Sequence, residues 1–438
     1  MRQHHYIIYN ILMLTVLVFG LPLIVPIVLA KEKRRQTFLQ RLGLAGLPES
    51  FSQHRLQGSN NKPIWVHAVS VGEVISAVPL VKELTSCFGE KSIVFSTATK
   101  TGFEVATKLL GDLVDALFYY PYDLVFAVKR ITAMVDPAAV VLIETDIWPN
   151  FLFELAKRNV PVALVNARLS KSSFDSYSRA SFFMKPVLET FFKICAQSSE
   201  DGHRFENLGV PSSRIVRTGN LKFDQEHNSG PKTDLEKLRQ SMLIKPQQNI
   251  LLAGSTHEGE EEILLHAFSR LRREFSDLLL IVAPRYPDRA ESVCGIFRSA
   301  GLSAHPSRNL EGLEPVAKLD VIVIDAIGIL RGLYAFADIA FVGGSLVSAG
   351  GQNPLEPAAS SKPILFGPDM SDFEEISHLL LKSGAAVRVY DAASLHSNVA
   401  SLLGDPGRSR AMGKNAFDAF SANKGAVEKT IAVIRGMI

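Results

Sequence analysis

The sequence predicts an α/β protein with two doubly wound parallel-sheet (Rossmann-like) domains and an N-terminal membrane anchor. Short apolar runs alternate with helical patterns from about residue 62 to 222, and the alternation restarts near residue 249. Near-continuous apolar strands separated by helices are typical of a parallel sheet covered on both faces. The anchor is predicted by a segment without charged residues that extends from Tyr6 to Ala30.

Composition narrows the classes of function. The chain has 438 residues, of which 47% are hydrophobic, and this length suits two globular domains. Its net charge of +3 is too small to indicate a nucleic-acid partner. The 3 cysteines have neither C-x-x-C nor metal-ligand spacing, which argues against a disulfide framework and favours a reducing compartment.

The segment 6–30 is long enough for a membrane anchor, since about 20 apolar residues cross a bilayer. A cleavable signal peptide is the alternative, but its apolar region is normally shorter and ends in small residues. Pro22 and Pro26 leave open a kinked or monotopic insertion. The basic cluster "KEKRR" follows, which places the body in the cytoplasm by the positive-inside rule and should attract anionic lipid headgroups.

Strands are predicted at "PIWVHAV", "KSIVFSTA", "AAVVLIET", "VPVALVNA", "FKICAQS" and "RIVRTGN" in the first half. In the second half they are predicted at "NILLAGST", "LLLIVAPR", "VIVID", "IAFVGGS" and "KPILFGP". A polar stretch around Gly230 and Pro231 is interpreted as the linker, so the predicted parts are an anchor (1–30) and two domains (31–225 and 226–438). Ligands of such sheets bind outside the carboxyl ends of the strands, which predicts a site in a cleft between the domains.

Glu73 follows the first strand in "WVHAVSVGEV" and lies in the first turn of a predicted helix. Ser70 and Glu73 have capping-box spacing, so one interpretation is that Glu73 binds the Ser70 amide. The other is that Glu73 takes part in chemistry. A helix N-terminus favours an ionised carboxylate and lowers its basicity.

Other polar residues follow strands in the first half. "LIETDIWPN" contains Glu144 and Asp146, and "TGNLKFD" contains Lys222 and Asp224. These residues either form ordinary ion pairs on a solvated loop or face the cleft. The apolar strands before them favour the cleft.

In the second half, "AGSTHEGEEE" has capping-box spacing between Ser255 and Glu258. The alternative is that amides at this helix start, with the Ser255 and Thr256 hydroxyls, hold a phosphate or similar anion. Arg285 follows another apolar strand by one proline, Pro284, and either pairs with a neighbouring acid or binds a phosphate or carboxylate.

The stretch "FVGGSLVSAGGQNPLEPAASSKPILFGP" is the densest cluster of unusual residues. Its two glycine pairs form loops where the backbone can approach a ligand. Asn353 is predicted as an N-cap and Pro354 as the first helical residue, which explains both without a ligand. Glu356, in the first helical turn, is a candidate acceptor for the vicinal hydroxyls of a ribose.

The sequence lacks the P-loop, G-x-G-x-x-G, H-E-x-x-H, G-x-S-x-G and D-x-D patterns. The chemistry is therefore expected to need no metal and no cofactor.

Taken in order, "HAVSVGEV", "ETDIWPN", "NARLS", "TGNLKFD", "APR", "DAIG", "FVGGSLV" and "GGQNPLEPAA…KPILFGP" resemble the Kdo transferases of Gram-negative bacteria. These enzymes attach 3-deoxy-D-manno-octulosonic acid (Kdo) to a lipid A precursor. The resemblance is collinear from about residue 31 to 380 and includes the anchor. It implies a GT-B-type fold, CMP-Kdo as donor and a membrane-embedded acceptor.

The resemblance also implies roles for individual residues. Glu73 corresponds to the general base, and Glu144 and Lys222 correspond to residues that stabilise the transition state. A base at a helix N-terminus would need desolvation to regain proton affinity, which is expected when the site closes over the lipid acceptor. The CMP-binding positions correspond to Pro284, Arg285, Ile327, Gly328, Ile329, Asn353, Pro354, Leu355 and Glu356. Three positions depart from the family pattern: Ile329 replaces the acid of M-G-E, Asp146 replaces the second acid of E-T-E, and Gln352 replaces a histidine.

The implied reaction is an inverting displacement. A hydroxyl of the acceptor loses its proton as it attacks the anomeric carbon of Kdo opposite CMP, and Arg285 and helix N-termini would stabilise the departing phosphate. Lys222 would offset charge either on the acceptor phosphate or on the donor carboxylate. A soluble sugar-nucleotide epimerase and a membrane-tethered nucleotide-binding module are the competing functions; the first would not need the anchor and the second would not need Glu73.

Overall fold

The computed structural model describes residues 6–15, 18–20, 32–48, 62–89, 93–225, 235–246, 248–310 and 319–438. They form two compact units, Met1–Gln225 with Lys424–Ile438, and Glu226–Asn423. Both units are α/β with one parallel sheet each, as the sequence predicts. Much of the predicted linker, and residues 1–5, 16–17 and 21–30 of the predicted anchor, lie outside the described residues.

The sheet of the first unit has seven strands in the order β3-β2-β1-β4-β5-β6-β7. All its strand pairs are parallel. The strands are β1 (Ile64–His67), β2 (Ile93–Thr97), β3 (Ala116–Tyr119), β4 (Ala139–Ile143), β5 (Val162–Ala167), β6 (Lys193–Ala196) and β7 (Ile215–Arg217). The helices are 6–15, Glu32–Arg41, Val71–Cys87, Lys100–Leu110, Val125–Val135, Pro149–Lys157, Lys171–Arg179, Ser181–Leu188, Ser199–Asn207 and Ala426–Arg435, with 3-10 turns at Ser212–Arg214 and Leu221–Asp224.

The sheet of the second unit also has seven parallel strands, in the order β10-β11-β9-β8-β12-β13-β14. The strands are β8 (Ile250–Thr256), β9 (Leu279–Pro284), β10 (Ala304–Pro306), β11 (Val321–Val323), β12 (Ile339–Val342), β13 (Ile364–Phe366) and β14 (Ala386–Arg388). The helices are Leu235–Ser241, Glu260–Glu274, Ala290–Ser299, Leu330–Leu333, Leu355–Ala359, Glu374–Lys382, Ala392–Gly404 and Pro406–Ala422, with 3-10 turns at Pro287–Arg289, Ser307–Leu310 and Ser371–Phe373.

Each sheet is buried on both faces, which explains why its central strands read as continuous apolar runs. In the first unit, alternate residues of β1 belong to different core clusters: Trp65 to one, Ile64 and Val66 to the other. Each cluster is completed by helices on its own side of the sheet. Two-sided burial removes the polar alternation of a half-exposed strand and stabilises each fully buried Val or Ile side chain by about 1.5–3 kcal/mol.

Three strands are missing from the sequence prediction, namely β3, β10 and β14, and each lies at an edge of its sheet. They are three or four residues long and only partly buried. β10 and β14 contain too few apolar residues to be distinguished from a loop, whereas β3 is apolar at every position and its run is a strand signal that the prediction did not use.

The C-terminal helix Ala426–Arg435 corrects the predicted second domain, because it belongs to the first unit. Its buried residues Ala426, Ile431 and Ile434 join the core cluster of the helix Val71–Cys87. Asp224 accepts hydrogen bonds from the amides of Gly425 (2.7 Å) and Val427 (2.6 Å) at the start of this helix. The sequence analysis assigned this segment to the second domain by its position in the chain, which contains no information on which core buries it.

Helix 6–15 contacts the body of the first unit through polar and aromatic side chains. The Tyr9 hydroxyl donates to Asp123 Oδ2 (2.8 Å), and the Asn10 and Asn150 amides exchange two hydrogen bonds of 3.0 Å. Tyr6 packs edge-on against Phe153. Within the described part of the chain, no helix combines the length and apolar character needed to cross a membrane.

Candidate functional site

The carboxyl ends of parallel strands lie at one edge of a sheet, and this edge of the first unit carries the candidate acids. Glu73 follows β1, Glu144 and Asp146 follow β4, and Lys222 follows β7. In the second unit the corresponding edge carries the residues after β8, β9, β12 and β13.

Glu73 lies in the first turn of the helix Val71–Cys87, whose N-cap is Ser70. The Ser70 hydroxyl accepts a hydrogen bond from the Glu73 amide (3.4 Å) and donates one to Glu73 Oε1 (3.1 Å). Glu73 Oε2 accepts from the amide of Val69 at 2.6 Å. The predicted bond to the Ser70 amide is therefore wrong by one residue, because the carboxylate extends past Ser70 to the preceding peptide.

Burial raises the pKa of Glu73 to about 7, and the charges of Glu144 and Asp146 add to the rise. The Val69 amide and the Ser70 hydroxyl act in the opposite direction, because they stabilise the charged form. The expectation that Glu73 needs closure over a lipid before it gains proton affinity is not required, since the protein itself supplies the desolvation. A carboxylate with a pKa near neutrality suits a general base.

Glu144 occupies an unusual backbone position at the end of β4. Its φ of 65° lies in the left-handed region, which is uncommon for residues other than glycine and asparagine and is found preferentially at functional sites. Burial raises the pKa of Glu144, while the positive charges of Lys222 and Arg168 lower it. The structure thus brings Glu144 within electrostatic reach of Lys222, which is 78 residues later in the chain.

Lys222 lies in the 3-10 turn Leu221–Asp224, which is held by amide side chains that the sequence analysis did not select. Asn220 Oδ1 accepts from the Lys222 amide, and Asn220 Nδ2 donates to Gln197 Oε1, both at 2.9 Å. Gln197 Nε2 in turn donates to the Asn166 carbonyl (2.8 Å). All three amide residues lie at or near the carboxyl ends of neighbouring strands. This position was the sequence signal that could have identified them as candidate site residues.

Asp224, grouped with Lys222 in the sequence, has a separate role. Both of its carboxylate oxygens accept amides of the C-terminal helix start, as described above. Asp146 is likewise bound, by His67 Nε2 at 2.6 Å and by the Trp148 indole at 2.8 Å. Among the residues that the structure describes, neither acid forms an ion pair with a lysine or arginine, so the ordinary ion-pair interpretation does not describe these contacts.

In the second unit, the predicted capping box of Ser255 and Glu258 is wrong. The helix begins at Glu260 with Gly259 as N-cap, in a left-handed conformation that glycine adopts without strain. Glu260 accepts four backbone amides, from His257 (2.9 Å), Gly344 (2.6 Å), Ser345 (3.0 Å) and Leu346 (2.9 Å). A protein carboxylate therefore takes amides that an anionic ligand was expected to use.

The Thr256 hydroxyl is also occupied within the protein. It donates to Glu261 Oε1 at 2.9 Å, and Arg289 binds both oxygens of the same carboxylate. Ser255 has a left-handed backbone with φ 56° at the carboxyl end of β8. Contact of Ser255 and Thr256 with a ligand stays a prediction.

Arg285 lies one residue beyond β9, whose last residue is the buried Pro284. Its amide donates to the Thr256 carbonyl (2.9 Å), which fixes the backbone at the carboxyl edge. Its side chain is exposed and makes no hydrogen bond or ion pair with any residue that the structure describes. The interpretation that Arg285 pairs with a neighbouring acid finds no contact here.

The segment Ile327, Gly328 and Ile329 follows β11 by a short loop. The Ile327 side chain is 85% exposed, and Gly328 has a φ of 94°. Ile329 packs against the core cluster beside Leu333 and Tyr334. An exposed isoleucine beside a left-handed glycine leaves the backbone of this turn accessible.

The glycine pairs have a structural explanation that the sequence did not suggest. A Cβ on Gly343 would lie 2.5 Å from the Ser255 carbonyl oxygen, and a Cβ on Gly351 would lie 2.5 Å from Met370 Sδ. The chain here packs against other parts of the same unit. Close approach within the protein, rather than to a ligand, accounts for these glycines.

Asn353 keeps a capping role, although the helix Leu355–Ala359 begins one residue later than predicted, with Pro354 at the N-cap. Asn353 Oδ1 accepts from the Leu355 amide at 3.0 Å. Glu356 lies in the first turn, where burial raises its pKa and the charge of Arg331 lowers it. A largely buried carboxylate at a strand-end loop is a suitable acceptor for ligand hydroxyls.

The two edges differ in chemistry. The first unit presents three carboxyl groups and a lysine around the end of β4, and the pKa of one of these carboxyl groups, Glu73, lies near neutral pH. The second presents an exposed arginine, an open turn and a buried carboxylate. Over the described ranges, no cluster of three or more histidine, cysteine, aspartate or glutamate side chains is arranged to hold a metal ion.

Comparison with known proteins assigns the chain to a family. A family model described as 3-deoxy-D-manno-octulosonic-acid transferase (kdotransferase) matches residues 36–225. The chain is 34% identical over 373 residues to the 3-deoxy-D-manno-octulosonic acid transferase of Haemophilus influenzae, with 85% of this chain and 86% of the relative covered. It is 31% identical over 376 residues to the enzyme of that name from Bordetella pertussis, with 84% and 86% covered.

Solved structures share the fold at low identity. The UDP-GlcNAc 2-epimerase from Neisseria meningitidis aligns with a TM-score of 0.59 and 13% identity, covering 85% of this chain and 100% of that one. A glycosyltransferase from Rickettsia africae aligns with a TM-score of 0.53 and 15% identity, covering 86% and 98%. These likenesses establish the GT-B-like fold alone. The sequence relatives decide the activity: with 34% and 31% identity over most of both chains, the protein belongs to the 3-deoxy-D-manno-octulosonic acid transferases, a family of glycosyltransferases.

Proposed function

We propose that the protein transfers Kdo from CMP-Kdo to a hydroxyl of a lipid A precursor during lipopolysaccharide synthesis, with Glu73 as the general base. The observation that carries the proposed mechanism is the state of Glu73, a half-buried carboxyl at the carboxyl edge of the sheet with a pKa raised to about 7. Near neutral pH such a group exists in both forms and accepts a proton with a useful driving force.

The acceptor hydroxyl loses its proton to Glu73 as its oxygen attacks the anomeric carbon of Kdo. The bond from that carbon to the CMP oxygen breaks, and CMP leaves with the electron pair as a phosphate monoester. Attack opposite the leaving group inverts the anomeric centre.

Glu144 and Lys222 are proposed to stabilise the transition state as a pair. Positive charge develops on the sugar ring in an oxocarbenium-like transition state, and a carboxylate near the ring stabilises it. The charges of Lys222 and Arg168 lower the pKa of Glu144, which keeps more of it in the ionised form despite its burial.

The donor is proposed to bind the second unit. Arg285 supports this assignment because its guanidinium is exposed at the carboxyl edge and suits a phosphate. Pro284, the turn Ile327–Ile329 and the segment Asn353–Glu356 follow neighbouring strand ends of the same sheet and complete the proposed CMP site.

The N-terminal segment is proposed to insert into the inner membrane, with the catalytic body on the cytoplasmic side. Support comes from helix 6–15, where Ile7, Ile8, Ile11, Leu12 and Leu14 are 52–60% exposed. The opposite side of the helix carries Tyr9 and Asn10, which bind the body. An apolar surface followed by a basic cluster is suited to a bilayer with anionic headgroups.

Incubation of the full-length protein with labelled CMP-Kdo and lipid A precursor tests the activity. The proposal predicts labelled lipid that forms in step with CMP release. An epimerase would alter a sugar nucleotide without labelling lipid, and a binding module would retain CMP-Kdo without turnover. Either of those results would refute the proposal.

A further inference from the structure

His67 is the first residue of the motif "HAVSVGEV", but neither the sequence analysis nor the proposed reaction gives this buried histidine a role. It is the last residue of β1, and its side chain is fully buried. Its ring stacks on Tyr120 with centroids 3.8 Å apart and an interplanar angle of 19°. Both ring nitrogens have polar partners: Nδ1 lies 2.9 Å from the Ser96 carbonyl and hydroxyl oxygens, and Nε2 lies 2.6 Å from Asp146 Oδ2.

The direction of these hydrogen bonds follows from the donors. The Trp65 indole can only donate, and it donates to Ser96 Oγ at 2.7 Å. The Ser96 hydroxyl proton is then available to His67 Nδ1, which leaves the ring proton on Nε2, facing Asp146. In a protonated ring, Nδ1 donates to the Ser96 carbonyl and Nε2 still donates to Asp146.

A neutral ring with its proton on Nδ1 is disfavoured. That tautomer would place the lone pair of Nε2 against a carboxylate oxygen at 2.6 Å. The other Asp146 oxygen accepts from the Trp148 indole at 2.8 Å. Asp146 is therefore held between two N–H donors, one of which belongs to a side chain that is fully buried.

The same strand-to-helix turn also holds Glu73. Two residues after His67, the Val69 amide binds Glu73 Oε2, and the Val69 carbonyl accepts from the hydroxyls of Thr97 (3.0 Å) and Thr99 (3.1 Å). This segment thus binds the Asp146 carboxylate through the His67 side chain and the Glu73 carboxylate through the Val69 backbone amide. Glu73 is influenced by the charges of Glu144 and Asp146, and Asp146 interacts with Arg41, Tyr120, Asp123 and Tyr177.

We propose that His67 is a positioning residue for Kdo transfer, whose Nε2–H holds the carboxylate of Asp146 in place beside Glu73. The inference rests on the proposed role of Glu73 as base. Loss of this hydrogen bond leaves Asp146 free either to turn away or to take up a proton. In both cases negative charge next to Glu73 decreases, and the base becomes weaker.

His67→Leu and His67→Gln test the inference as a matched pair, because the glutamine amide retains an N–H donor close to the position of Nε2. For His67→Leu we expect kcat to fall roughly 10- to 100-fold, as for other misplaced catalytic groups, with the KM for CMP-Kdo unchanged. The acidic limb of the kcat–pH profile should move to lower pH. His67→Gln should recover most of kcat and the original profile.

A wild-type kcat and pH profile in His67→Leu would overturn the inference, as would equal losses in both variants. If the wild-type protein transfers no Kdo from CMP-Kdo, the proposed function fails instead, so the two failures are distinguishable.

The ring tautomer provides a readout without activity. ¹⁵N spectra of the histidine-labelled full-length protein should show His67 protonated on Nε2 throughout the neutral range. The resonance is assigned by its disappearance in His67→Gln or, should that variant not fold, by its shift in Ser96→Ala. A neutral His67 protonated on Nδ1 would overturn the inference.

Discussion

The carboxylate of Glu73 accepts a hydrogen bond of 2.6 Å from the backbone amide of Val69, the residue just before the helix N-cap. Glu73 therefore has a capping function and also has the pKa of a candidate base. The two interpretations that the sequence left open are compatible, because a carboxylate has lone pairs for more than one donor. Their relative importance is measurable with the variants below.

The first prediction concerns stability. The pKa of Glu73 is about 7 in the folded chain and 4.5 in its ordinary state, so the folded protein retains a proton that the unfolded chain has lost. Wild-type stability should therefore fall as pH rises from about 4.5 to about 7. Relative to Glu73→Gln, the wild type should lose about 1–3 kcal/mol of unfolding free energy between pH 5 and pH 8.

Urea unfolding of both proteins at the two pH values measures this difference. Glu83→Gln, an exposed glutamate on the same helix, is the control and should track the wild type. If Glu73→Gln showed the same pH dependence as the wild type, the raised pKa would be refuted.

The second prediction concerns Arg285. Arg285→Ala should weaken CMP binding by about 1.5–3 kcal/mol, or roughly 10- to 100-fold in Kd, because it removes a charge-assisted contact with the phosphate. Titration calorimetry with CMP measures the effect. Arg410→Ala removes another exposed arginine of the same unit and should bind CMP normally. Equal affinities of the two variants would place the nucleotide elsewhere.

The third prediction concerns Glu356. If its carboxylate accepts hydrogen bonds from the ribose, Glu356→Ala should weaken binding of CMP more than binding of a 2′,3′-dideoxy analogue. The analogue serves as the internal control, since it lacks the hydroxyls but keeps the base and the phosphate. A loss of equal size for both ligands would indicate that Glu356 only supports the fold of its loop.

The fourth prediction concerns the membrane. The full-length protein should remain with membranes after a high-salt wash, and a variant without residues 1–30 should be released more readily while still binding anionic vesicles at low salt. Leu12→Glu introduces a charge on the exposed face of helix 6–15 and should also weaken association. Complete recovery of the intact chain in the soluble fraction would contradict the anchor.

The sequence predicted the strands that are buried on both faces because such strands leave a continuous apolar run. It did not predict β10 and β14, whose short edge positions need few apolar residues, and it did not predict β3, although β3 is apolar throughout. It also did not identify where the helix Ala426–Arg435 packs, because the sequence of an apolar helix face does not specify which hydrophobic core buries it.

Strand ends in the sequence indicated Glu73, Glu144, Lys222 and Arg285, because ligands meet parallel sheets at these positions. What the sequence could not supply were contacts between distant segments. The bond of His67 to Asp146 joins residues 79 positions apart, and the contact of Glu260 with the Gly344 amide joins residues 84 apart. Only the folded chain shows that His67 binds the carboxylate of Asp146 and that Glu260 accepts a backbone amide of the glycine-rich loop.

The most direct test of the account is the rate of Kdo transfer by Glu73→Gln in a single turnover with saturating CMP-Kdo and lipid A precursor. Glutamine retains a hydrogen-bonding side chain at the helix start but cannot accept the proton of the acceptor hydroxyl. The account predicts a folded variant that binds CMP-Kdo like the wild type and transfers Kdo about 10²–10⁴-fold more slowly, with Glu83→Gln unaffected. Transfer by Glu73→Gln at a rate near that of the wild type would contradict it.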